Sequence, residues 1–322
     1  MDKTIIDIIK EVEEMHDIQM DGNYICHYTS LNALESLIKA YQESNDKSSI
    51  ILRATDVYST NDKLEMSFGY EYVLELFSEL EKELPKEFSD NKYRISRYME
   101  DVIHSKKYKN FTERQFVDWM LKSDSSTFVI SLSRHKDNID MWQKYGKNGY
   151  GVCLVFDKKA LSQIQRPSGL FVQGPLNVIY GNRAGFQNMH ILFNYIGRKE
   201  YDDYIEQAQH INDIDNIVEL KLKSLDQLCG LCSVFIKDEK WHNEREVRIA
   251  ITRNYFPNEN KPIVKIDEKN RKYIELLIPF SCLKEIIIGS CVKENVIYDI
   301  LSELGDDNSF IKIVSRSNTP LQ

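Results

Sequence analysis

The short apolar runs in this chain, and the order in which they come, limit its fold more than any other feature. Strand-like runs come first: Tyr24–Tyr28, Ser48–Ala54 and Thr127–Ser133 (TFVISLS), then Gly149–Phe156 (GYGVCLVF) and Val178–Tyr180. A mainly helical pattern covers 186–235, and strand-like runs return at 246–252, 262–266, 272–278 and 285–289. A helix at 293–303 and a strand at 309–314 close the chain. Strands, a helical middle and more strands make an α+β pattern rather than regular βαβ winding. Shorter helices are expected at 3–17 (Ile5, Ile6, Ile8, Ile9), after a cap at Thr29 or Ser30 (Leu31, Leu34, Leu37, Ile38), and at 138–145. The charged helical blocks 63–122 and 186–240 read as insertions on a mixed or antiparallel, split sheet. The expectation is one elaborated domain spanning 1–322.

Composition narrows the function classes. The 42% hydrophobic content is enough for a sizeable core, and the formal net charge of -8 disfavours a phosphate-gripping nucleic-acid binder. No stretch approaches the roughly 18–20 apolar residues of a membrane span, which disfavours a membrane partner. The opening MDKTIIDIIKEVEEMHD lacks a signal-peptide pattern. The expected location is therefore the cytoplasm, with Cys26, Cys153, Cys229, Cys232, Cys282 and Cys291 as reduced thiols. Cys229 and Cys232 form a C-x-x-C inside helical sequence, which suits neither a redox pair nor a four-ligand zinc site. No metal-ligand spacing is present, and no metal is expected.

Three segments carry candidate chemistry. In His242–Ile251 (HNEREVRIAI), strand alternation sends Val247, Ile249 and Ile251 to a core and Glu244, Glu246 and Arg248 together to the other face. Two carboxylates so close would resist ionising together. The same residues equally make a solvated face of Glu–Arg pairs. His27 lies near the end of an early strand, where an imidazole can bond a ligand hydroxyl or act as acid or base, or be a satisfied structural histidine. Ser131 and Ser133 share a strand face and can orient a ligand or a carboxylate, or face solvent. A serine hydrolase is disfavoured, since no G-x-S-x-G elbow is present. Met141, Trp142 and Tyr145 share one helical face, which more often builds core, though one aromatic could floor a pocket.

Several segments together resemble the bacterial family called domain of unknown function 2971. They are HYTSLNALESLIK (27–39), STND (59–62), SLSR with NIDMWQKYG and GYGVCLVFD (131–157), and the K-to-WHNEREVR stretch of 237–248. The family name carries no activity. The order of parts is also similar to ADP-ribosyltransferases, where a His or Arg ends an early strand, a Ser-x-Ser strand follows and a Glu-x-Glu enters a late strand. Here His27-Tyr28-Thr29, Ser131-Leu132-Ser133 and Glu244-Arg245-Glu246 stand in those places.

That resemblance implies a split-sheet fold of the same kind, with NAD as substrate and a small nucleotide as the ligand. It implies Glu246 as the carboxylate that stabilises an oxocarbenium-like transition state, Glu244 as the residue that handles an acceptor, and His27 on the ribose or phosphate edge. Ser131 and Ser133 would position Glu246 and the ribose, with Tyr28, Thr29 and Arg248 nearby. Tyr58, Trp142 or Tyr145 would stack on nicotinamide, and Arg53 would meet the pyrophosphate. The middle of the serine motif is Leu132 where many such enzymes have threonine. The expected function is an intracellular mono-ADP-ribosyltransferase or NAD glycohydrolase, with the acceptor undefined. The other reading is a non-catalytic nucleotide- or peptide-sensing regulator in a stress or phage-response pathway.

Overall fold

Alternation along the strands explains the architecture. A computed structural model of the chain describes residues 23–44, 47–57, 127–162, 172–181, 234–252, 262–302 and 310–320. The expected helix at 3–17, the block 63–122 and nearly all of 186–235 lie outside the described residues, as do Tyr58, Cys229 and Cys232. Contacts divide the chain into two compact units. One comprises Met1–Ile18, Val57–Thr127 and Val178–Trp241, and it contains most of both blocks read as insertions. Its described part includes a two-stranded parallel sheet of β6 (Ile179–Tyr180) and β7 (Ile236–Lys237). The other comprises Gln19–Asp56, Phe128–Asn177 and His242–Gln322, and it holds the main sheet.

That sheet has ten strands. They are β1 (Tyr24–Ser30), β2 (Ser49–Asp56), β3 (Thr127–Ser133), β4 (Gly151–Asp157), β5 (Val172–Asn177), β8 (Glu246–Thr252), β9 (Lys265–Ile266), β10 (Lys272–Pro279), β11 (Leu283–Ile288) and β12 (Val314–Arg316). The order is β12-β11-β4-β1-β3-β2-β10-β9, with β8 paired to both β3 and β5. The registered pairs are antiparallel except β11–β12, which is parallel. The α+β expectation therefore holds as a mixed, mostly antiparallel sheet with few helices among the described residues. β1 and β4 are in register over seven residue pairs from Tyr24↔Asp157 to Ser30↔Gly151. β1 and β3 share one pair, Cys26↔Ser133, and β3 continues instead against β2 at Thr55↔Val129 and Asp56↔Phe128.

The two faces carry separate apolar clusters. The larger takes Ile25, Leu52, Ala54, Ile130, Leu132, Leu154, Val247 and Ile249, covered by α1 (Leu31–Glu43) through Leu34, Leu37, Ile38 and Tyr41. Ser30 caps that helix, its Oγ accepting from the Ala33 amide at 3.3 Å. α3 (Lys158–Ser162) and α4 (Glu294–Ser302) add Leu161, Ile300 and Leu301. On the other face, Cys26, Tyr28, Cys153, Val155 and Ile287 pack against Met141 and Trp142 of α2 (Ile139–Lys144). Asn138 caps α2 through its side-chain oxygen. Cys26, Cys153 and Cys282 are buried free thiols and Cys291 is a half-buried one. Among the described residues, no helix is long and apolar enough to cross a membrane.

The turn into β4 has no room for a side chain. A Cβ on Gly151 would stand 2.2 Å from the Thr29 carbonyl oxygen and 2.9 Å from that of Gly146. The Gly151 amide donates to Gly146 and its carbonyl accepts from Gly289, both at 3.0 Å, so the backbone cannot step aside. Gly151→Ala is expected to destabilise the protein by about 1–3 kcal/mol, read as a lower urea midpoint at unchanged m value.

Candidate functional site

The candidate residues gather where β3 ends and β8 begins. Ser133 closes β3 and is 1% exposed. Its Oγ donates to the Glu244 carbonyl at 2.8 Å and accepts from the His135 amide at 3.1 Å. The Arg134 amide donates to the Arg245 carbonyl at 3.1 Å, and His135 Nε2 donates to the Asn243 carbonyl at 3.1 Å. Three consecutive residues, the last of the strand and the two after it, are thus stitched to the segment Asn243–Arg245.

The two acids do not share a strand face. Glu244 ends a 3-10 turn (Glu239–Glu244), β8 starts at Glu246, and Arg245 between them has φ of 40°, a left-handed conformation. That kink breaks the alternation that would have aligned Glu244 with Glu246. Each buried carboxylate meets its own cation. Glu244 Oε1 accepts from Tyr145 Oη at 2.7 Å and from Lys144 Nζ at 3.1 Å. Glu246 takes both nitrogens of the Arg248 fork, Nε on Oε1 at 2.8 Å and Nη2 on Oε2 at 2.9 Å. The expected like-charge pairing of the two carboxylates is therefore not what this arrangement builds.

His27 is placed differently. Along β1, Ile25 belongs to the larger core while Cys26 and Tyr28 belong to the smaller one, so alternation puts His27 on the face of the larger core. Ser131 and Ser133 alternate with Ile130 and Leu132, and Glu246 and Arg248 with Val247 and Ile249, which sends all four to the opposite face. The imidazole meets β3 through the backbone instead. Its Nδ1 lies 3.0 Å from the Ser131 carbonyl oxygen, just beyond the single β1–β3 pair. Since a carbonyl only accepts, Nδ1 holds the proton and Nε2 has the lone pair in the neutral ring. The ring keeps part of its surface in solvent but is densely packed. Burial lowers its pKa from the usual imidazole value, opposed by the hydrogen bond to Ser131. Ser131 itself is exposed and Thr29 half-buried beside the helix cap.

Two expected ligand contacts, at Tyr28 and Trp142, are corrected. Tyr28 is 7% exposed, and its hydroxyl donates to the His135 carbonyl at 2.9 Å and accepts from the Asn138 amide at 3.0 Å. Trp142 is fully buried, edge-on to Tyr28 at 5.0 Å between centroids, with Nε1 donating to Asp137 at 2.8 Å. Neither ring is available for stacking. Tyr145 is half-buried and donates its hydroxyl to Glu244. Arg53 is exposed in the middle of β2, its guanidinium 4.7 Å over the Tyr273 ring. Tyr58 lies outside the described residues.

The sequence reading did not single out Lys144, His135, Arg134 or Asp137. Lys144 and Tyr145 end the helix NIDMWQKYG, and their adjacency to a buried acid has no local sequence signal. Asp137, with φ of 51°, also accepts from the Asn318 amide at 3.0 Å and from the Ser317 and Thr319 hydroxyls, tying the C-terminal segment to the loop that leaves β3. Among the described residues, no group of His, Cys, Asp and Glu is arranged to hold a metal ion.

Residues 141–249 match the family model described as "Protein of unknown function (DUF2971)", which bears out the family resemblance read from the sequence. No curated protein and no solved structure matches the chain.

His27 and His135 give the site an acid limit. Both have folded pKa values lowered, chiefly by burial. Below about pH 6.5 the unfolded chain therefore takes up protons that the folded protein refuses. Their contribution to stability is present above that value and is lost as pH falls toward the folded pKa. Urea midpoints from pH 7.5 to 4.5 should fall on acidification, by up to about 1.4 kcal/mol per pH unit per histidine. His27→Gln should flatten the slope by one proton's share.

Proposed function

We propose that this chain is an NAD-using enzyme of the ADP-ribosyl-transferring or NAD-hydrolysing kind, working at the β1–β3–β8 junction. One observation carries the reading. Three segments far apart in sequence, around His27, Ser131–Ser133 and Glu244–Glu246, lie on strands paired in the sequence β1–β3–β8. Side-chain hydrogen bonds of 3.0 and 2.8 Å join them. His27 faces the larger core and Ser131, Ser133 and Glu246 the opposite side, so the three segments adjoin through backbone carbonyls.

The chemistry available there fits a nucleotide. A neutral imidazole with a lone pair on Nε2 accepts from a ribose hydroxyl. Its Nδ1 is bonded to the Ser131 carbonyl, so Nε2 is the atom left to meet a ligand hydroxyl, on the sheet face that carries the larger core. Glu246 supplies the buried negative charge for a cationic reacting centre, with Arg248 fixing both oxygens until substrate arrives. A carboxylate preorganised in this way acts mainly in the transition state. Glu244, held by Tyr145 and Lys144, is the second acid, on the acceptor side. The ligand is the nucleotide, and the acceptor is a macromolecule, a small molecule or water.

A second reading has its own support. Both acids already have cationic partners, and a protein that senses a nucleotide without cleaving it needs no reactive carboxylate. Nicotinamide release from NAD separates the two. Wild-type protein should turn over, and Glu246→Gln should be slower by about 10²–10³-fold. Because the variant leaves Arg248 buried without its partner, Glu246→Gln/Arg248→Gln serves as the folded control and should be equally slow. A rise in Tm with NAD and no nicotinamide from any of the three proteins would instead establish the sensor.

A further inference from the structure

Two arginines at the junction have charge that no acid answers among the described residues. Arg134 follows β3 and Arg245 precedes β8, and their backbones are joined by the 3.1 Å bond from the Arg134 amide to the Arg245 carbonyl. Arg134 Nε donates to Asn177 Oδ1 at 3.0 Å. Asn177 stands across from Val247 in the β5–β8 ladder, so the Arg134 guanidinium is drawn to the start of β8, two residues from Arg245. Among the described residues, neither guanidinium has an ion pair. Arg245 is exposed and Arg134 half-buried.

Three other described arginines of the same unit are held by acids or carbonyls, and a fourth by a ring. Arg248 is paired with Glu246, Arg271 with Asp267 at 2.7 Å, and Arg316 donates to the carbonyls of Ser290 and Val292 and lies near Glu294. Arg53 lies over Tyr273. The acids that flank Arg245 in sequence are both turned to other cations, Glu244 to Lys144 and Glu246 to Arg248. A third basic group adjoins them. His135 donates from Nε2 to Asn243, and after burial the positive charge of Arg245 is the next influence lowering its pKa. The hydrogen bond that His135 donates to the Asn243 carbonyl and the negative charge of Asp140 oppose this. In a chain of formal net charge -8, two guanidinium groups without an ion pair among the described residues thus stand beside Ser133 and Glu244.

We propose that Arg134, Arg245 and His135 form a subsite for the diphosphate of a nucleotide. The inference rests on the nucleotide reading above and gives it a substrate class, a nucleoside diphosphate or a dinucleotide joined by one. Two forks whose backbones are hydrogen-bonded can bracket two adjacent phosphates, and guanidinium suits phosphate oxygens through parallel N–H donors. A bound diphosphate turns the local field at His135 from positive to negative, so the ring gains a proton and becomes a further donor.

Calorimetric titration of the full chain with ADP, inorganic pyrophosphate and adenosine tests this. ADP and pyrophosphate should compete with each other. Arg134→Gln and Arg245→Gln should each weaken both by about tenfold to a hundredfold, leaving the weaker binding of adenosine unchanged. The His135 ring resonances should titrate at higher pH with pyrophosphate in wild type, and not in Arg245→Gln. Equal binding to wild type and to an Arg134→Gln/Arg245→Gln protein of normal circular dichroism overturns the subsite. So does a wild type that binds neither phosphate ligand. Arginine-dependent binding of both with no nicotinamide release would keep the subsite and remove the NAD-cleaving reading. Undiminished nicotinamide release, at limiting NAD, by the double variant would do the reverse.

Discussion

The hydroxyl of Ser133 is the point on which the junction depends. It is fully buried, and a buried hydroxyl must find partners or cost about 1–3 kcal/mol. It finds two, both backbone groups: the Glu244 carbonyl and the His135 amide. One side chain thereby fixes how the chain leaves β3 and how it enters β8. The carbonyl of Arg245 and the amide of Arg134 then meet as a consequence, and Asn243 comes within reach of His135. A threonine would bring a methyl group and an alanine nothing at all, so serine is the residue type the position asks for.

Once the entry to β8 is set, the electrostatics follow. Two buried carboxylates two residues apart would repel in a regular strand. The left-handed turn at Arg245 separates them, and each is neutralised locally. Buried ion pairs of this kind add little net stability, because desolvation offsets the attraction, but breaking one is costly. What they supply is position: Glu246 is held at both oxygens, and Glu244 by Lys144 of α2 and the Tyr145 that follows it.

Much of this was legible in the sequence, because alternation is a local signal. TFVISLS became β3 with Ile130 and Leu132 inward, and EVRIAIT became β8 with Val247, Ile249 and Ile251 inward. The Glu–Arg pairing weighed as the alternative for that strand is realised at Glu246 and Arg248, although buried rather than solvated. Other features had no local signal. The left-handed Arg245 turns what reads as one strand into a turn and a strand. β5 carries Gly174 and Pro175, and proline argues against an ordered strand; the ladder admits them by shifting register between Gln173 and Leu176. Tyr28 and Trp142 look like ligand-facing residues in a motif, yet they pack against each other across a sheet face that the sequence does not announce as buried. β9 is two residues long where a five-residue run reads as a strand, since Ile263 there is largely exposed and has no core to join.

The least legible part is how core and site are joined through α2. Its six residues place Met141 and Trp142 in the smaller core and Lys144 with the following Tyr145 on Glu244, so packing on one side sets geometry on the other. The loop before it is tied three times over. Tyr28 spans His135 and Asn138, Ser133 takes the His135 amide, and Asp137 holds Trp142 together with Ser317, Asn318 and Thr319. The hydrogen bonds on Asp137 hold its pKa below the usual carboxylate range although burial acts against them. It therefore stays charged, and its grip on the C-terminal segment persists, down to pH values at which the two histidines have already weakened the fold. Acid should then loosen the junction first at His27 and His135, with the Asp137 tie the last to release.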